Sequence, residues 1–185
     1  MYSPAIILGI LTLFTIYFFR DPDRGVTVPE NAVLTPADGK IIGIKRLSDN
    51  TNPLGEPAFK MSIFMSVFNV HVNRIPASGR IENIRYYPGK FFSAHLDKAS
   101  HQNEHNKITL QTANGHKIVF VQIAGLIARR IACWLKEEDE VKAGQRFGLI
   151  RFGSRLDVYL PINTRIIAQT SHRVKAGETV LGYLS

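Results

Sequence analysis

The chain has 185 residues, enough for one compact domain with an appendage and too few for two full cores. Its formal net charge is +8, which favours anionic partners, yet zinc-finger spacing, a glycine-rich basic tail and a recognition-helix pattern are all missing, so nucleic acid is excluded as a partner. A single cysteine, Cys133, rules out an internal disulfide, and its neighbours Ile131, Ala132, Trp134 and Leu135 predict a buried thiol facing a reducing compartment.

Residues 1–19 carry no charged side chain and run almost unbroken in apolar and aromatic residues from Ala5 to Phe19. That is about the length needed to cross or embed in a bilayer, and the lack of an early basic residue and of a small-x-small site before Arg20-Asp21-Pro22 speaks against a removed signal. The expectation is a membrane-associating segment over 1–19 joined to a β domain over 20–185, with the surplus Lys and Arg drawn to an anionic leaflet. A buried core helix is the plainer alternative.

From Val26 onward short strands dominate. Lys40–Ile44, Lys60–Val67, Arg80–Tyr86, Lys107–Thr112, His116–Ile123 and Arg165–Ala168 have the length and β-branched content of strands. Turn signals stand at Gly39, Asn52-Pro53, Gly79 and Asn114-Gly115, the last predicting a tight hairpin. Phe91–Asn106 reads as a loop with a helical turn, and Ala124–Trp134 as the one later stretch able to form a helix. Two motifs occur twice. Pro36-Ala37-Asp38-Gly39-Lys40-Ile41 returns as Pro76-Ala77-Ser78-Gly79-Arg80-Ile81, and Val141-Lys142-Ala143-Gly144 returns as Val174-Lys175-Ala176-Gly177. Each couples a glycine turn to apolar residues, which predicts equivalent corners of an internally symmetric β structure.

Three places carry candidate chemistry. In Asn69–Ile75, alternation places Asn69, His71, Asn73 and Ile75 on one side and Val70, Val72 and Arg74 on the other, so His71 sits among amides as a possible proton shuttle. His101-Gln102-Asn103-Glu104-His105 matches the inverted zinc-protease pattern, but the polar surroundings offer no helix to build it on, and no metal site is expected. Gly153-Ser154 lies between two apolar strand-like runs without the G-x-S-x-G elbow of a serine hydrolase.

Taken together, Phe19-Arg20-Asp21-Pro22, Pro36-Ala37-Asp38-Gly39, Asn69-Val70-His71-Val72-Asn73-Arg74, Pro88-Gly89, Asn103-Glu104 and Phe152-Gly153-Ser154 make the chain resemble the phosphatidylserine decarboxylase family, in its short form, over nearly its full length. The resemblance implies a mainly β, barrel-sandwich-like domain of lipoyl or biotinyl type behind an N-terminal hydrophobic helix. It also implies a proenzyme that cuts itself between Gly153 and Ser154 into fragments 1–153 and 154–185, turning Ser154 into a covalent pyruvoyl cofactor that decarboxylates a serine-headgroup phospholipid. The processing aspartate falls on Asp38, the cleavage serine on Ser154 and the first family histidine on His71, with His71 expected to be oriented by Asp38. Arg74 stands where long members have a second histidine and Arg155 where they have threonine, so both are candidate partners for the substrate's carboxylate or phosphate. The expected location is the cell membrane, peripheral or anchored, with the catalytic domain on the cytoplasmic side of an anionic phospholipid surface. The remaining alternatives are action on an archaeal ether-linked serine lipid, a lipoyl-like carrier module, and a non-catalytic membrane-binding β domain.

Overall fold

The computed structural model describes residues 3–93, 102–126, 130–151 and 153–185. The apolar N-terminal run forms helix α1, Ser3–Phe18. Sixteen residues span about 24 Å at the α-helical rise, less than a hydrocarbon core of ~30 Å, and no described helix is long and apolar enough to cross a membrane. Along α1 large apolar side chains, among them Ile6, Leu8, Leu11, Leu13 and Ile16, stand exposed, while Phe14 is half-buried. Thr12 and Thr15 turn their hydroxyls back onto the Leu8 and Leu11 carbonyls, which leaves neither threonine donor asking for water.

Among the described residues fourteen strands follow: β1 Ala32–Leu34, β2 Gly39–Leu47, β3 Ala58–Met65, β4 Val72–Arg74, β5 Gly79–Tyr87, β6 His105–Gln111, β7 Lys117–Ile123, β8 Ile131–Cys133, β9 Glu140–Val141, β10 Arg146–Ile150, β11 Ser154–Pro161, β12 Arg165–Ile166, β13 Arg173–Val174 and β14 Val180–Tyr183. Eight form a curled, near-barrel antiparallel sheet in the order β13-β2-β3-β11-β7-β6-β5-β9, and two three-stranded sheets, β1-β14-β12 and β4-β10-β8, complete the domain. The domain is mainly β with a single N-terminal helix, as the sequence predicts. Alternating positions of the long strands, among them Ile41, Ile63, Ile81, Phe120, Leu156 and Val158, fill the principal core.

The repeated motifs are a structural two-fold. Residues 34–36 and 74–76 exchange reciprocal bonds, Leu34 N–H to the Pro76 carbonyl and Arg74 N–H to the Pro36 carbonyl. Gly39 pairs with Val174 across β2 and β13, as Gly79 pairs with Val141 across β5 and β9, and β2 and β5 both break register two residues further on. Asp38 and Ser78 do the same local job, their side-chain oxygens accepting from the main-chain N–H of Ala176 and of Ala143. Even the left-handed residues match, Ser171 at φ 72° and Glu138 at φ 75°.

The six predicted strands coincide with β2, β3, β5, β6, β7 and β12. Two expectations change. The described part of Ala124–Trp134 holds strand β8 rather than a helix, and Cys133 within it is half-buried instead of fully enclosed. The helical turn expected within Phe91–Asn106 falls largely outside the described residues, as does His101 of the zinc-like pattern. His105 of that pattern stacks on Tyr87 with Nδ1 against the Asn103 carbonyl at 2.7 Å.

Candidate active site

Ser154 is the first residue of β11, the strand held between β3 and β7, and its side chain is fully buried. Gly153, immediately before it, adopts φ +70°, a left-handed turn that glycine enters at no steric cost and that swings the chain into the strand. The Ser154 hydroxyl donates to the Met65 thioether sulfur at 3.3 Å. A thioether is a weak acceptor, so this contact holds the hydroxyl proton loosely. The burial also separates this site from a carrier module, which needs its modified residue at an exposed tip.

The imidazole of His71 meets this turn from the residue preceding β4. Nδ1 lies 2.9 Å from the Asn69 carbonyl, and Nε2 accepts from the Gly153 N–H at 3.4 Å. The first bond fixes the proton on Nδ1 and leaves the Nε2 lone pair directed at the Gly153–Ser154 segment. Burial pushes the pKa of His71 down to about 4; the Asn69 carbonyl opposes the shift, the Arg20 charge adds to it and Asp38 opposes it weakly. At neutral pH the ring is therefore an uncharged base. Its outer face is covered by Phe18, also fully buried, with ring centroids 4.3 Å apart. The last turn of the apolar helix is thus a wall of the site.

Asp38 is near His71 without touching it. Its carboxylate takes both terminal nitrogens of Arg24, at 2.6 and 3.0 Å, and the Ala176 N–H at 2.7 Å. The expectation that Asp38 orients the imidazole is corrected: the Asn69 carbonyl does that, and Asp38 acts on the ring through space. Asn69 itself belongs to a turn, where its side-chain oxygen accepts from the Ser66 N–H and hydroxyl, rather than to the alternating strand.

The two arginines expected to meet substrate are engaged elsewhere. Arg74 is buried, and its guanidinium reaches the Gly144 and Pro22 carbonyls and Asp21. Together with Arg146, which pairs with Asp21 and Asp23, it straps the segment after α1 onto the domain. Arg155 lies on the face of β11 opposite Ser154, where it donates to Asp157 at 2.6 Å and to Ser62 at 2.7 Å, all fully or nearly buried.

Three contributors carry roles that sequence reasoning did not assign. A built Cβ at Gly125 would stand 1.8 Å from the Gly153 carbonyl oxygen, so only glycine lets the main chain pass there. Asn103 fixes that passing segment by donating to the Ala124 and Phe92 carbonyls, both at 2.8 Å. Asn106, Gln122 and Asn73 form a buried hydrogen-bonded chain that ends at the Met65 sulfur, opposite the Ser154 hydroxyl. Alternation places Asn73 beside His71 without showing its partners; no pattern in the sequence marks a glycine whose constraint comes from a distant carbonyl.

A profile of phosphatidylserine decarboxylase matches residues 11–182. The chain is 55% identical over 171 residues to the phosphatidylserine decarboxylase proenzyme of Syntrophus aciditrophicus, covering 92% of this chain and 80% of that protein. It is 51% identical to that of Desulfotalea psychrophila, covering 95% and 81%. With that of Pelobacter propionicus the identity is 49% over the whole chain and 83% of the relative. The matched span includes α1 from its third turn, the strap, His71 and the Gly153–Ser154 turn, and the chain belongs to the phosphatidylserine decarboxylase family.

Proposed function

We propose that this protein is a self-cleaving, pyruvoyl-dependent decarboxylase that converts phosphatidylserine to phosphatidylethanolamine and carbon dioxide at a membrane surface. The observation that carries the reading is the neutral His71 Nε2 facing the buried Gly153–Ser154 turn, in a chain about half identical to proenzymes of this name.

In the first stage His71 takes the Ser154 hydroxyl proton as the oxygen attacks the Gly153 carbonyl, and returns it to the departing Ser154 nitrogen. The peptide bond becomes an ester. β-Elimination then passes the α-proton of residue 154 to His71, neutral again, as the Cβ–O bond breaks, releasing the Gly153 carboxylate and leaving a dehydroalanine at 154, whose hydrolysis by one water frees ammonia and yields the pyruvoyl end. The negative charge of Asp38 favours the imidazolium formed in passing, while its bonds to Arg24 and Ala176 hold it in place. Gly125 and Asn103 keep the scissile carbonyl oxygen where the main chain confines it.

The chain's own residues fit a pyruvoyl end at 154. The position is enclosed, it begins a strand bound on both sides, and cutting before it removes no strand pairing. That group supplies the electron sink for loss of carbon dioxide from the substrate's serine headgroup. His71 is then placed to deliver a proton beside residue 154. The fragments remain one body, because β11, β13 and β14 of 154–185 pair with β3, β7, β2 and β1 of 1–153. Membrane attachment rests on the exposed apolar α1, and the net charge of +8 favours the anionic cytoplasmic leaflet.

The test is release of labelled carbon dioxide from carboxyl-labelled phosphatidylserine in detergent micelles by the purified, cleaved protein. Release that disappears after cyanoborohydride reduction in the presence of substrate supports the reading; no release from fully cleaved protein contradicts it.

Two predictions arise from the walls of the site. Gly125→Ala should fold but slow fragment formation on the order of a hundred-fold, because the added methyl must displace the Gly153 carbonyl by about an ångström or more. The measurement is fragment yield against time on denaturing gels, with circular dichroism as the fold check. Removing residues 1–13 should release protein from membranes while leaving cleavage intact, whereas removing residues 1–19 should also slow cleavage, since it strips Phe18 from His71. Equal cleavage by both truncations would separate α1 from the site.

A further inference from the structure

The two symmetric corners carry different charges. At one, Arg80 faces Glu140 across β5 and β9 and its guanidinium pairs with Glu138. At the other, Lys40 faces Arg173 across β2 and β13, and Ser171 and His172 stand where the first copy has Glu138 and Asp139. Like charges directly opposite on an antiparallel pair repel, and the first copy builds the same corner with acids, so the fold does not require them. Val174 points into the core, which turns Lys175 to the same outer side as Arg173. Lys175 reaches Glu178 only at 3.7 Å, with its side chain 69% exposed. Among the described residues, neither Lys40 nor Arg173 has a carboxylate within ion-pair distance, and the adjoining Asp38 is occupied by Arg24 and Ala176.

These three cations line one cleft of about 630 Å³ together with Ser66, Phe68 and Asp38, whose carboxylate is already held by Arg24 and the Ala176 N–H. Phe68 is 66% exposed, and its carbonyl accepts from the Tyr17 hydroxyl at 3.2 Å and from Arg20 at 2.8 Å. The cationic cleft therefore adjoins the C-terminal end of the apolar helix, and Phe68 extends the apolar surface of α1 to its rim. A bilayer receiving α1 would bring its headgroup layer to this cleft.

We propose that the cleft formed by Lys40, Arg173 and Lys175 seats the phosphate of an anionic phospholipid in the bilayer that holds α1. The inference rests on the membrane reading above and assigns it a docking face. Lys40 and Arg173, which have no carboxylate within ion-pair distance among the described residues, and Lys175, held only by the long contact to Glu178, are relieved by one anionic headgroup, and Phe68 enters the interface beside it. The occupied cleft would hold the domain against the membrane beside Asn69, the cleft-lining residue two positions before the buried His71.

The experiment is vesicle flotation of the full-length protein, using phosphatidylcholine alone and phosphatidylcholine with a minority of phosphatidylglycerol. The wild type should bind both and gain strongly from phosphatidylglycerol. The Lys40→Gln/Arg173→Gln/Lys175→Gln variant should retain binding to phosphatidylcholine through α1 and lose the gain, a fall in affinity for the mixed vesicles on the order of a hundred-fold. Formation of the two fragments reports that the variant is folded; if it does not cleave, Arg173→Gln/Lys175→Gln, altering two exposed side chains, is used and should lose most of the gain. An unchanged response to phosphatidylglycerol would overturn the cleft alone. Failure of the wild type to bind either vesicle would overturn the membrane reading with it.

Discussion

Ser154→Ala is expected to remain a single chain of 185 residues with no decarboxylase activity, however long it is incubated. Alanine offers no oxygen to attack the Gly153 carbonyl, and the only other consequence is loss of a 3.3 Å contact to a thioether, too weak to unfold the domain. Met65 and its buried amide chain remain satisfied through Asn73. Detection of fragment 1–153 in this variant, by denaturing mass spectrometry, would remove Ser154 from the reaction. Ser154→Thr is a useful companion: it restores a hydroxyl but adds a methyl in a fully buried position, so slow cleavage is expected from it.

His71→Ala should slow fragment formation by roughly a hundred- to ten-thousand-fold, the range a positioned general base supplies. Its pH dependence makes the assignment specific. With the ring's pKa pushed down from 6.5 to about 4, the wild-type base stays neutral through mildly acidic conditions. Cleavage should therefore hold its rate as pH falls through 6.5 and decline only on approach to about 4, instead of halving near the ordinary imidazole value. Stability follows the same group. Below pH 6.5 the unfolded chain binds a proton that the folded one refuses until about pH 4, so this burial lowers stability progressively across that window, by roughly 3 kcal/mol at its end. A cleavage profile with its midpoint near 6.5 would show that His71 is exposed when it acts, or that another group is the base.

The repeats were the most legible part of the fold. A six-residue and a four-residue motif, each present twice, already implied paired corners, and they lie at β2/β13 and β5/β9. The long strands were readable from their β-branched runs. Strands β9 and β13 have two residues each, too few for any periodicity, and only their partners define them. In the site, His71 and Ser154 were readable because the chemistry needs those residue types and the resemblance marks those positions.

What escaped the sequence was pairing at a distance. Arg74 and Arg155 looked available to an anionic substrate because a sequence does not display Asp21 beside one or Asp157 and Ser62 beside the other. Asp38 looked like the partner of His71 for the same reason, although Arg24 claims its carboxylate. Phe18 was counted only as part of an apolar run. Its burial on His71 joins the two proposed functions, membrane contact and the enclosure of a base, that composition alone keeps apart.

Denaturing intact-mass analysis of freshly purified wild-type protein, paired with an assay of carbon dioxide release from the same sample, tests the central claim most directly. The account predicts two polypeptides, 1–153 and 154–185, the shorter with a carbonyl in place of its amino terminus and reactive toward hydroxylamine, and activity that rises with their yield. A single uncut chain that decarboxylates phosphatidylserine would contradict it.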